Sequence, residues 1–77
     1  MKDLLEYLAK GLVDSPEQVS VDQFEEDDGT LVLELHVADD DVGKVIGRSG
    51  RTVNALRTVI RASSVKHGRR VLVDVVD

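Results

Sequence analysis

Apolar positions along this 77-residue chain recur with two periods, and each change of period marks a new element. Leu4, Leu5, Leu8 and Leu12 fall at i, i+1, i+4 and i+8, one stripe of an amphipathic helix. Ser15-Pro16 closes that segment, because proline disfavours helical backbone at the residue before it. Val19 to Phe24 reads as a short strand. An acidic loop, Glu25 to Gly29, ends on Asp28-Gly29, a hairpin turn signal. Leu31, Leu33, Leu35 and Val37 then alternate with Val32, Glu34 and His36, a period-2 strand with one strongly apolar face.

Asp39, Asp40 and Asp41 suit the positive end of a helix, and one of them can cap it. A short helix over about Asp40–Ile46 follows, interrupted by Gly47 and Gly50. A longer one runs from about Arg51 to His67. Val53, Leu56, Val59 and Ile60 form its apolar face; Arg51, Asn54, Arg57, Thr58 and Arg61 lie on the opposite arc. His67-Gly68 is a helix stop, with Gly68 free to adopt a left-handed conformation. Val71–Val76 is a last, β-branched strand. The order α-β-β-α-α-β predicts an α+β fold. The first two strands form a hairpin, and the second and third pair in parallel through the helical crossover. All three helices pack on one face of a three-stranded mixed sheet.

Composition narrows the function. The length fits one small domain over residues 1–77. There is no cysteine, so disulfides and thiolate metal sites are excluded. The amino-terminal stretch Met1-Lys2-Asp3-Leu4-Leu5-Glu6 carries acids where a secretory signal is apolar, and no run is long enough to span a membrane. The expectation is a soluble cytoplasmic protein. Net charge is −5, yet it is split: residues 1–43 hold 2 basic and 13 acidic side chains, and residues 44–77 hold 8 basic and 2 acidic ones. The stretch from Lys44 to Arg70 contains no acid at all. That asymmetry points to one anion-binding face, with a solvated helix face as the plainer reading.

The candidate site is Gly47-Arg48-Ser49-Gly50, a four-residue turn between two helices with glycine at both ends. Glycine permits positive φ and close approach of another backbone. The helix that starts at Arg51 directs its free amides and its dipole into the same space. Arg48 can pair with a phosphate, Ser49 is a small donor, and Lys44 and Arg51 flank the turn. A sugar-phosphate backbone would be held there without any base being read. Asn54 lies one turn further on. Bases need a second surface, for which Val45, Ile46, Val53 and the edge of the Leu31–Val37 strand are the candidates. Tyr7 and Phe24 are the only aromatic residues, so a shallow aliphatic groove is expected rather than an aromatic stacking sheet.

Ile46-Gly47-Arg48-Ser49-Gly50, between two helices and followed by a strand, resembles the GXXG signature of KH domains. The element order resembles the type II KH fold, with the loop-bearing core at about residues 30–77. At this length the chain resembles the bacterial single-KH-domain KhpA family. That resemblance implies single-stranded RNA as ligand, an RNA-chaperone role and partnership with the Jag-type protein KhpB. It also implies an influence on cell shape and peptidoglycan homeostasis. Carried over by position, Gly47, Arg48, Ser49 and Gly50 grip phosphate, and Ile46 and Val53 contribute to the groove wall. The second loop position, often basic in such domains, is Ser49 here, so the loop's positive charge rests on Arg48.

Other chemistries fail on spacing. Gly43 to Gly47 is too short for a Walker loop, and Val45 stands where a dinucleotide fingerprint needs glycine. Arg51 stands where a G-x-S-x-G nucleophile elbow needs glycine. His36 and His67 have no ligand spacing to each other, and a helix start accounts for Asp39–Asp41 without a metal. No catalytic residue, metal or cofactor is expected. Two alternatives remain. A helix-turn-helix DNA reader would use the Arg51–His67 helix. A protein-interaction module is the other, and a homodimer or a complex with KhpB would raise weak RNA affinity by effective concentration.

Overall fold

The computed structural model describes residues 1–65 and 68–76. Its elements are α1 (Lys2–Lys10), β1 (Ser20–Glu25), β2 (Leu31–His36), α2 (Val42–Ile46), α3 (Arg51–Val65) and β3 (Val71–Val76). Single 3-10 turns sit at Pro16–Gln18, Asp39–Asp41 and Arg48–Gly50. The sheet order is β1-β2-β3, with β1 antiparallel and β3 parallel to β2. The α+β fold and the α-β-β-α-α-β order expected from the sequence are those observed. The expected stop at His67 falls outside the described residues, while Gly68 does take a left-handed φ of 62°.

The core follows from the period-2 face of β2. Leu31, Leu33 and Leu35 point at the helices, flanked by Val21 of β1 and by Val71 and Val73 of β3. Leu5 and Ala9 of α1, Val45 of α2, and Leu56 and Ile60 of α3 close over them. Leu5, Leu33, Leu35, Val45 and Ile60 are fully buried. Each such side chain contributes about 1.5–3 kcal/mol relative to exposure.

Three sequence expectations are corrected. α1 stops at Lys10, before Leu12, which is 39% exposed; Ala9 takes the stripe position instead. Val59 is 44% exposed, because it lies ~100° around α3 from Ile60. Ser64 completes that face, and its hydroxyl donates to the Arg61 carbonyl at 2.8 Å, which removes the cost of burying it. Finally, no aspartate side chain caps α2. Asp41 is 1% exposed and turns back to accept from the amides of Asp14 (3.2 Å) and Ser15 (3.0 Å). It thereby anchors the segment entering the Pro16 turn to the start of α2.

The other face of the sheet carries no helix. Register places Phe24, Val32 and Leu72 in one row and Asp22, Glu34 and Asp74 in the next. Val32 is 6% exposed although it faces away from the helices, sheltered between its two apolar neighbours.

Candidate functional site

The turn between α2 and α3 is built from residues in the left-handed half of backbone space. Gly47 has φ 76° and ψ 173°, Ser49 φ 56° and ψ 27°, and Gly50 φ 75°. The Gly47 conformation is open in practice to glycine alone. A Cβ there would also lie 2.7 Å from Cβ and 2.9 Å from the amide nitrogen of Thr52, so the α3 backbone itself crowds the position. Ser49 is the described non-glycine residue with positive φ, a conformation that costs about 1–2 kcal/mol. Strain of this kind persists where the surroundings enforce it, commonly at ligand-binding loops.

The donors differ from the sequence expectation. Gly50 N–H donates to the Gly47 carbonyl at 3.2 Å, and Arg51 N–H to the Arg48 carbonyl. These bonds of the 3-10 turn consume two amides at the start of α3. The amides of Arg48 and Ser49 open the turn and have no acceptor within it. Arg48, Ser49, Arg51 and Asn54 are exposed, and Ile46 and Gly50 are half-buried. Loop, charge and donors therefore converge on one rim of the molecule.

Lys44 is directed elsewhere. Its ammonium pairs with Asp14 and lies 3.6 Å from Asp41 Oδ1, toward the start of α2 and away from the loop. Asp14 raises its pKa, an effect that outweighs desolvation. Desolvation pushes the Asp41 carboxyl up, but the Asp14 and Ser15 amides and Lys44 outweigh it and hold the group below the usual carboxylate value. Lys44 therefore steadies the helix that carries the loop.

The proposed base-facing surface also moves. Val45 is 0% and Val53 5% exposed, so both are core rather than groove wall. β2 is the central strand, with both edges already paired. The open edge beside α3 belongs to β3. There a cleft of about 340 Å³ is lined by Asn54, Arg57, Thr58 and Arg61 of α3 and by Leu72, Val73 and Asp74 of β3. Arg57 spans it, donating from Nε to the Val73 carbonyl at 3.1 Å and from Nη1 to Asn54 Oδ1 at 3.3 Å. The sequence placed these α3 residues on one polar arc, but only strand order could put β3 opposite them.

The bare sheet face has the opposite character. Asp22, Glu34 and Asp74 stand side by side across three strands, like charges directly opposed. His36 Nε2 lies 3.0 Å from Asp22 Oδ2, too poorly aligned for a hydrogen bond, and is left without a partner. Asp22, Glu34 and His36 offer metal-ligating atoms within 4.8 Å of one another, yet Asp22 is exposed and no further feature marks an ion site. Asp22 and Glu34 make this face repel a polyanion, whereas the arginines of the α3 rim attract one; Asp74 lies at the border, in the sheet row and at the edge of the cleft. No helix among the described residues is long and apolar enough to cross a membrane.

Residues 2–75 match the family model described as KhpA/KhpB, KH domain. Curated relatives named RNA-binding protein KhpA align along the chain. The protein of Halalkalibacterium halodurans is 51% identical over all of both chains. That of Clostridium acetobutylicum is 49% identical over 99% of this chain and 100% of its own. That of Streptomyces coelicolor is 51% identical over 100% of this chain and 92% of its own. No solved structure matches.

Proposed function

The chain belongs to the KhpA/KhpB KH-domain family, a non-enzymatic one, and from that premise we propose that it binds single-stranded RNA as a single KH domain. The loop Gly47-Arg48-Ser49-Gly50 holds the sugar-phosphate backbone, and the bases lie in the cleft between α3 and β3. The observation that carries this reading is the loop's geometry. Gly47 and Gly50 bring backbone to the surface without a Cβ, and Arg48 and the two opening amides supply donors beside it. Asn54, Arg57 and Thr58 present polar groups to base edges, and Leu72 and Ile46 present aliphatic surface.

The size of the charge sets the affinity. Arg48 is the loop's one cation, so contacts are few and binding by one copy is modest. Pairing with KhpB, or with a second copy, raises effective affinity without a new RNA contact. Sedimentation that shows only monomer, alone and with KhpB, contradicts that part. We further propose a cytoplasmic location, RNA-chaperone activity and an influence on cell shape and peptidoglycan homeostasis.

The test replaces Arg48 and Ser49 by Asp together and titrates a short oligouridylate. An unchanged circular-dichroism spectrum with lost binding is expected. Unchanged affinity rejects the loop as the grip. A helix-turn-helix mode would instead show preference for duplex DNA.

A further inference from the structure

We infer that the RNA track does not end at the α3–β3 cleft but continues into a second phosphate subsite at the far end of α3, formed by Arg61 and Arg70. This rests on the reading of the loop and cleft as the RNA site, and extends it along the same strand.

A second cleft of about 300 Å³ lies beyond the first, lined by Arg61, Ser64, Val65, Arg69, Arg70, Val71 and Leu72. Arg61 and Leu72 line both clefts, so the two form one trough between α3 and β3. From Asn54 to Val65 that trough follows ~16 Å of helix at ~1.5 Å per residue. At the ~3.4 Å spacing of stacked nucleotides this is room for about five. A KH loop by itself clamps about four, so a strand that leaves the loop along the first cleft arrives at the second.

The cations there differ in availability. Arg69 pairs with Glu25 and reaches the Gly29 carbonyl, so it pins the hairpin. Arg61 and Arg70 are exposed and make no direct ion pair among the described residues. Arg70 stands near Asp28, whose carboxyl is held low by the Thr30 hydrogen bonds first and by Arg70 to a lesser degree. The exposed wall residues between them, Val65 and Leu72, are aliphatic, which suits a sugar edge between two phosphate contacts. Unpaired guanidinium groups beside an aliphatic wall fit a phosphodiester better than a neutral or cationic ligand. The Arg69–Glu25 pair brings the acidic hairpin beside this cleft, where its carboxylates would repel further phosphates.

The experiment uses the whole chain and two probes, oligouridylates of about four and about ten nucleotides. The variant is Arg70→Gln; this residue is exposed and lines the second cleft but not the first, and a matching thermal melt confirms folding. The expected result is a loss of affinity for the long strand of roughly three- to tenfold, with short-strand affinity unchanged. The salt slope for the long strand should also flatten by about 0.7 for each contact removed. Arg70→Lys should keep most of the long-strand affinity. If the Arg70→Gln variant binds the long strand as the native chain does, the subsite is overturned while the loop reading stands. If the native chain binds neither probe, the loop reading fails and the extension falls with it.

Discussion

Arg57 donates from Nε to the backbone carbonyl of Val73 at 3.1 Å, and this one bond joins the middle of α3 to the open edge of the sheet. It spans the floor of the cleft proposed for bases. Arg57→Ala should cost about 0.5–1.5 kcal/mol of stability, the ordinary worth of such a bond, and weaken RNA binding as well. Lysine lacks the planar fork, so Arg57→Lys should restore charge but not affinity. Denaturant melts and an RNA titration of both variants check this.

Gly47 and Ser49 both have positive φ, but they should respond oppositely to substitution. Gly47→Ala adds a Cβ against the Thr52 backbone in a region closed to alanine, at a cost above ~2 kcal/mol. Thr52→Ala should not rescue it, because the Thr52 amide nitrogen remains in the way. Ser49→Gly removes left-handed strain of about 1–2 kcal/mol and adds about 0.5–1 kcal/mol of unfolded-state entropy. Its stability should match or slightly exceed the native value. A Ser49→Gly variant clearly less stable than native contradicts the strain argument.

Acid should loosen two carboxylate anchors. Asp28 accepts from the Thr30 amide at 2.9 Å, which holds its carboxyl below the usual value, and Asp41 is held low by the outcome of burial against the Asp14 and Ser15 amides and Lys44. Folded pKa values below the unfolded ones stabilise above about pH 4, and that stability is lost as pH falls through the folded values. Lys44 has the opposite sign: its raised pKa stabilises fully below about pH 10.4 and the effect is lost as pH climbs through the folded value. Melting temperature against pH should therefore fall at both ends. Asp41→Asn should flatten the acid limb and lower the plateau, and Lys44→Gln should lower stability while leaving RNA affinity nearly native.

Val59 and Ile60 are neighbours with unlike fates. Ile60 is 0% exposed, and Ile60→Ala should cost about 2–5 kcal/mol. Val59→Lys should change stability by less than about 0.5 kcal/mol, because Val59 faces solvent. Urea melts of the two variants separate them.

These contrasts show where sequence patterns carry information. β2 and β3 were legible because alternation and β-branching act locally, and Gly47-x-x-Gly50 because glycine pairs advertise backbone demands. Val59 is apolar by name, but its angle on the helix keeps it out of the core. Ser64 was missed although it lies at i+4 from Ile60 and i+8 from Leu56; a polar name hid a buried position. The partners of Lys44 and Asp41 come from the Asp14-Ser15 segment far away in sequence, which no local pattern encodes. The cleft facing β3 depends on strand order, which places β2 in the centre and leaves β3 open.

The central claim is that RNA runs from the 47–50 loop along α3 and β3 and avoids the acidic sheet face. Amide chemical shifts followed during titration with a single-stranded oligouridylate test it most directly. The account predicts shifts at Gly47, Arg48, Ser49, Gly50 and Arg51, then at Asn54, Arg57, Thr58, Leu72 and Val73, with Asp22, Glu34 and His36 still. Shifts centred on the sheet face, with the loop unmoved, would contradict it.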